Sequence, residues 1–148
     1  MVYSYFHNFV KGWEADLWLR YILMNDNSNV KTLNIGLGKY FGSYWINIRS
    51  YIQSEGTSFT LTSRYYYKTK FDYITLIAGY GTSPDDKTRS ADYESRLSLR
   101  SYRLSAGFFK LIKSHYIAGF MITDNQQEYT ANKFQTELDF AFVLQYKF

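Results

Sequence analysis

The sequence predicts an all-β protein, an antiparallel, up-and-down β-barrel that crosses a membrane, with about 8 strands present. Three observations point there. In the last fifteen residues Phe134, Thr136, Leu138, Phe140, Phe142, Leu144, Tyr146 and Phe148 share one parity, and Gln135, Glu137, Asp139, Ala141, Val143, Gln145 and Lys147 share the other. Such period-two alternation builds one apolar and one polar strand face, which lipid and a lumen would take respectively. Aromatic residues make up 21% of the 148 residues, with 16 Tyr, 12 Phe and 3 Trp, enough for two aromatic girdles. Mean hydropathy is −0.35, and no stretch approaches the ~18 apolar residues of a membrane helix, so a helical membrane protein is excluded. A barrel is not, because half of each strand is polar.

Nine stretches read as strands. Val2 to Phe6 is a stub. Gly12 to Met24 sets Trp13, Ala15, Leu17, Leu19 and Tyr21 on its apolar face, and Val30 to Phe41 sets Leu33, Ile35, Leu37 and Phe41. Tyr44 to Gln53 offers Tyr44, Ile46, Ile48 and Ile52; Thr57 to Tyr67 offers Phe59, Leu61, Tyr65 and Tyr67. Tyr73 to Gly81 offers Ile74, Leu76, Ala78 and Tyr80, and Arg96 to Phe109 offers Tyr102, Leu104, Ala106 and Phe108. His115 to Thr123 offers Tyr116, Ala118, Phe120 and Ile122, and the terminal stretch Phe134 to Phe148 is the ninth. Most lengths suit the ~9–11 residues of a tilted transmembrane strand.

Connections support the same reading. With Phe148 at the periplasmic face, outer loops are expected at Asn25–Asn29, Ser54–Gly56, Thr82–Ser95 and Asp124–Thr130. Inner turns are then expected at His7–Lys11, Gly42–Ser43, Lys68–Asp72 and Leu111–Ser114. The longest loop, with Pro84, Asp85, Asp86 and Lys87, falls outside and the tightest turn inside, the asymmetry of outer-membrane barrels. The charged residues of that loop read as a solvated surface, with a cation-bridged contact to lipopolysaccharide as the alternative, and Arg96 and Arg100 beside it could pair with lipid phosphates.

The chain reads as a single domain over residues 1–148 without cysteine, which fits export through an oxidising compartment. Its net charge of +4 is spread along the strands rather than gathered in one run, so no nucleic-acid partner is expected. Met1-Val2-Tyr3-Ser4-Tyr5-Phe6 has no signal-peptide pattern, so the chain is expected to be a mature form or part of a longer product.

On the polar parity lie Glu14, Asp16, Arg20, Arg49, Arg64, Arg103, Glu137 and Asp139, with Asn34, Asn47, Trp18, Trp45, Tyr40, Tyr51 and Tyr66. Four acids and four arginines suggest an ion-paired network filling a lumen, since buried charges need partners. The same residues could instead form a polar path for a saccharide or small solute, with rings stacking on sugars and arginines selecting anions. Gly36, Gly38, Gly79, Gly81, Gly107 and Gly119 share this face, as if room were left for large side chains from facing strands.

Parts for catalysis are few. His7 and His115 are the only histidines, both are expected near short turns, and neither has a Ser–Asp partner in sequence reach. Glu14 with Asp16, and Glu137 with Asp139, could divide acid and base roles, although beside arginines they read as charge partners. No Cys or His cluster has metal-ligand spacing, and Gly36-Leu37-Gly38 sits mid-strand rather than before a helix, so it is no phosphate loop. No catalytic residue, cofactor or metal is expected.

Two resemblances extend this reading. The outward series Phe140, Phe142, Leu144, Tyr146 and Phe148 resembles the assembly signal of bacterial outer-membrane barrels. Tyr3-Ser4-Tyr5-Phe6-His7-Asn8-Phe9 and Lys11-Gly12-Trp13-Glu14-Ala15-Asp16-Leu17 resemble the YaiO family of outer-membrane β-barrels. The likeness continues through Leu37 to Gly42, Tyr44 to Ser50, Arg64 to Tyr67, Gly79 to Asp85 and the terminal strand. Longer members of that family imply that this chain corresponds to the C-terminal portion of a barrel or to a short variant. The resemblance implies fold and location, and no defined activity.

The expected function is therefore that of a non-enzymatic bacterial outer-membrane protein, structural or a port for polysaccharide or another envelope component. Expected partners are outer-membrane lipids and lipopolysaccharide, the barrel assembly machinery, and a polysaccharide or protein partner. The alternative is an outer-membrane enzyme acting on lipid or glycan through the lumen carboxylates. A soluble, lipocalin-like barrel is disfavoured, because it would turn either the polar residues into its core or the aromatic ones to water.

Overall fold

The computed structural model describes residues 2–23, 29–53, 56–81, 101–130 and 132–147. They form β1 (Val2–Asn8), β2 (Trp13–Leu23), β3 (Asn29–Phe41), β4 (Tyr44–Gln53), β5 (Gly56–Tyr66), β6 (Tyr73–Gly81), β7 (Ser101–Ile112), β8 (Tyr116–Thr130) and β9 (Lys133–Tyr146). Each strand pairs antiparallel with the next, so the chain makes one nine-stranded up-and-down sheet in sequence order. The first stretch is more than a stub, since all 7 residues of β1 pair with β2, from Val2 opposite Arg20 to Asn8 opposite Glu14.

Alternation decides the two faces. Leu17, Ile35, Ile48, Leu61, Leu76, Leu104 and Phe140 lie on the convex side and are well exposed. The opposite parity is covered: Thr32, Asn34, Asn47, Ser58, Thr75 and Ser105 are buried, whereas the buried hydrophobic residues among those described are Phe109 and Ile117. This is a soluble protein turned inside out, with the polar face as interior and the apolar face left for lipid.

Two aromatic rows edge the apolar band. Phe41, Tyr44, Tyr65, Ile74, Phe108, Phe120 and Phe142 are successive register partners beside the short turns. Nearer the other rim, Phe59, Tyr80 and Tyr102 form a second row, with Tyr80 and Tyr102 rings 5.1 Å apart. Phe59 and Tyr65 are six residues apart on β5, roughly 20 Å along the strand, so the two rows enclose the middle of the apolar band. Lys39 lies over the rings of Trp13 (4.4 Å) and Phe41 (4.6 Å), where an ammonium can reach headgroups.

Register rows run oblique to the rims. The first aromatic row touches the Gly42-Ser43 turn on one side but lies four residues short of Ile112 at the end of β7. That stagger belongs to tilted strands in a barrel wall. Gly42 takes the positive φ of 56° that a two-residue hairpin loop requires.

Some expectations need correction. Asp124–Thr130, expected as an outer loop, is strand: Asp124 pairs with Leu138 and Glu128 with Phe134. Beyond the apolar band both faces of a hairpin can be polar while its backbone ladder stays paired, so polarity there does not mean loop. Glu128 closes this end by accepting the Asn132 N–H at 2.7 Å. Leu111, expected in a turn, belongs to β7. The expected loop Thr82–Ser95, the strand opening Arg96–Arg100 and Phe148 lie outside the described residues.

β1 and β9 pair with no further strand among the described residues, so the sheet is open. With nine strands in antiparallel succession the two edges run in the same direction. They cannot pair antiparallel with each other. An all-antiparallel barrel containing this sheet therefore holds an odd number of further strands, and in lipid those edges need them.

One corner is tied by a buried acid. Thr69 Oγ1 and the Leu111 N–H, the latter at 2.9 Å, donate to the Asp72 carboxylate, while the Asp72 N–H donates to Thr69 O at 3.0 Å. The Thr69 hydroxyl and the Leu111 amide hold the Asp72 pKa below its ordinary value, with Lys68 adding to the effect against the opposing push of burial.

Replacing Leu76, mid-band and outward, by Arg should destabilise the barrel by ~2–4 kcal/mol, whereas Gln126→Arg near the rim should cost ~0–1 kcal/mol. Urea titrations of folding into lipid vesicles measure both, and equal costs would refute the placing of Leu76 at mid-band and Gln126 near the rim. For Asp72 the folded pKa is depressed. Its contribution is thus complete above the unfolded carboxylate value of ~4 and is lost as pH falls through the lower folded value. Asp72→Asn should flatten that part of a plot of urea midpoint against pH.

Candidate functional site

The concave polar face is built on gaps in β3. Gly36 is the register partner of Asp16 on β2 and Arg49 on β4, and Gly38 is the partner of Glu14 and Asn47. A Cβ at Gly36 would overlap the Asp16 carboxylate, and one at Gly38 would come within 2.6 Å of Glu14 Oε1. Both acids therefore lie across β3 to reach β4. Asp16 Oδ1 receives Arg49 Nη2 at 3.0 Å, and Glu14 Oε1 receives the Trp45 indole N–H at 2.6 Å. Gly119 and Gly107 work the same way for one ring, since added Cβ atoms there would meet Phe109. The sequence expectation that glycines make room for facing side chains holds at these four positions.

From Trp45 a ladder continues around the sheet. The Arg64 guanidinium sits 4.9 Å from the Trp45 ring and 5.0 Å from the Tyr73 ring, and Tyr73 stacks on Phe109 at 4.8 Å. A cation held between ring faces needs no carboxylate to be partnered. With Tyr40 and Tyr66 beside them, these residues fill the half of the concave face nearer the short turns.

The expected pairing of four arginines with four acids is thus made once, between Arg49 and Asp16. Glu14 goes to an indole and Arg64 to aromatic rings. Arg20 and Arg103 have no ion pair among the described residues. Glu137 and Asp139 share the concave parity but sit on β9, the edge strand, and are exposed. Register places Glu137 opposite Asn125, with Arg103 one strand further, which at ~4.8 Å per strand leaves Arg103 and Glu137 ~10 Å apart at the backbone.

In the other half of the concave face is a cavity of about 290 Å³. Trp18 and Arg20 of β2, Tyr51 of β4, Arg103 of β7 and Asn125 of β8 wall it, over a floor of small residues from β5 to β7. Trp18 and Tyr51 meet edge to face, 6.1 Å between centroids. Parity placed these residues on one face. It could not show that curvature brings β2 and β7 to one cavity, nor that Trp45 is the partner of Glu14.

Of the residues expected to form an assembly signal, Phe140, Phe142, Leu144 and Tyr146 are outward and exposed, Phe142 at 85%. Phe148 lies outside the described residues. No group of His, Cys, Asp and Glu among the described residues could hold a metal ion.

Asp16→Ala should destabilise the folded sheet by ~1–3 kcal/mol, the scale of a charged hydrogen bond. It should cost less when Arg49 is already Leu, because the two contribute as a unit. Gly36→Ala should lose part of the same coupling with both charges still present. Additive costs in a urea-unfolding double-mutant cycle would show that the pair contributes nothing.

Comparison with known proteins agrees with this geometry. Neither a curated protein nor a solved structure matches the chain. The family model of the YaiO membrane beta barrel domain matches residues 1–86, which take in β1 to β6. With more than half of its 148 residues matched and the same outward alternation continued through β9, the chain belongs to the YaiO membrane β-barrel family.

Proposed function

We propose that this chain is part of a non-enzymatic barrel of the bacterial outer membrane that serves as a port for a polysaccharide or another envelope component. The arginine surplus of the concave face carries the reading: of Arg20, Arg49, Arg64 and Arg103, only Arg49 has an acid partner among the described residues. A lumen closed by its own ion pairs would have used them up. Glu14 and Asp16 are engaged by Trp45 and Arg49, which supports a lining role over an acid–base one. The exposed outward series on β9 supports insertion by the barrel assembly machinery, and the aromatic rows support contact with outer-membrane lipid.

A purely structural barrel is the second reading, favoured by the Trp45–Arg64–Tyr73 ladder that occupies one half of the face. Flux separates the two. Proteoliposomes holding the full chain in its native barrel should swell in oligosaccharide solutions. Arg20→Gln, in the open half, should retain the fold and lower anion preference in planar bilayers, because the lining loses a positive charge. No swelling and no conductance would leave the structural reading.

A further inference from the structure

We propose that the cavity walled by Trp18, Tyr51, Arg20 and Arg103 is a binding site for an acidic saccharide unit, a sugar ring bearing a carboxylate, phosphate or sulfate; this deepens the port reading above. The first argument is the space itself. At Gly36, Gly38, Gly107 and Gly119 an added Cβ would come within about 3.0 Å of a neighbouring side chain, so the protein fills those gaps itself. Gly79 differs. A Cβ there would find Arg103 Cβ at 3.5 Å, an ordinary contact, and no closer atom. A mid-strand glycine weakens its strand and marks close approach or a need for space. Here the space is cavity floor, continued by Ser58 and Ser101.

The second argument is charge. β2 and β7 are five strands apart in the sheet, ~24 Å if it were flat, yet Arg20 and Arg103 line the same cavity. Two arginines at one site, with no ion-paired acid among the described residues, repel each other until an anion lies between them. Guanidinium groups bind carboxylate and phosphate oxygens through paired N–H donors.

The third is the remaining chemistry. Trp18 and Tyr51 supply ring surface for the C–H face of a sugar, and Asn125, Ser58 and Thr60 supply donors and acceptors for hydroxyl groups. An inorganic anion has no use for the rings, and a neutral sugar has no use for the charges. At about 290 Å³ the cavity is at the small end of ligand pockets, ~300–1,000 Å³. It fits a short segment of glycan. The aromatic ladder fills the half nearer the short turns, so the site lies toward the opposite rim.

Isothermal titration of the native barrel that contains the full chain, in detergent micelles, tests the site, with tetragalacturonate, maltotetraose and inorganic phosphate as probes. Saturable binding of tetragalacturonate is expected, with phosphate at least about tenfold weaker and maltotetraose weaker still. Arg103→Gln should weaken tetragalacturonate binding by roughly ten- to a hundredfold, the loss of a charge-assisted hydrogen bond. Gly79→Val should fill the floor and abolish binding while the heat-modifiable fold persists, because valine suits a strand; it keeps the test decisive if Arg103→Gln fails to fold. Maltotetraose or phosphate binding as tightly as tetragalacturonate would overturn the proposal, as would wild-type affinity in Gly79→Val. Swelling with neutral oligosaccharides but no tetragalacturonate binding refutes this site and leaves the port standing. Binding without flux refutes the port alone.

Discussion

Hydrocarbon offers no hydrogen bonds, and from that constraint most of the structure follows. A wall exposed to it must pair every backbone N–H and C=O with a neighbouring strand, so the chain runs up and down with each strand beside the next in sequence. Lipid also takes the apolar parity, which leaves the polar parity to pack inward. The interior therefore consists of Asn34, Asn47, Thr32 and Thr75 rather than leucines, and Phe109 and Ile117 are exceptions near the short turns.

A polar interior needs partners, and cross-strand geometry limits them. Adjacent strands are ~4.8 Å apart, so an acid on β2 reaches a base on β4 only by crossing β3. Glycine is what β3 offers at both crossings, at the expense of its own strand propensity. The Asp16–Arg49 and Glu14–Trp45 contacts thus depend on Gly36 and Gly38 as much as on the residues that touch. Where a glycine has no such occupant, at Gly79, the face opens into a cavity.

The concave face is in consequence divided along the strand direction. Toward the short turns, Trp45, Arg64, Tyr73 and Phe109 interlock as stacked rings and a sandwiched cation. Toward the other rim, small residues and two arginines without carboxylate partners among the described residues leave room and positive charge. On the port reading proposed above, the packed end and the basic end would suit a lumen that receives an anionic solute from one side.

Much of this was legible in the chain. Period-two alternation assigned nearly every side chain to a face, because neighbouring residues of a strand point to opposite sides whatever the surroundings. Tyr44–Gln53 and Tyr73–Gly81 begin and end where the pattern puts them. The alternation could not locate the end of β8, since a hairpin beyond the apolar band loses its apolar signal and keeps its ladder. Nor could it choose partners among side chains on one face. Register, stagger and curvature decide which inward residues meet, and these depend on all the strands at once. Equal numbers of acids and arginines therefore suggested four pairs, and among the described residues one is made. The sequence by itself determined which residues face lipid and which face the lumen; the tertiary structure decided which of them touch, because reach across a sheet is set by the small residue in between.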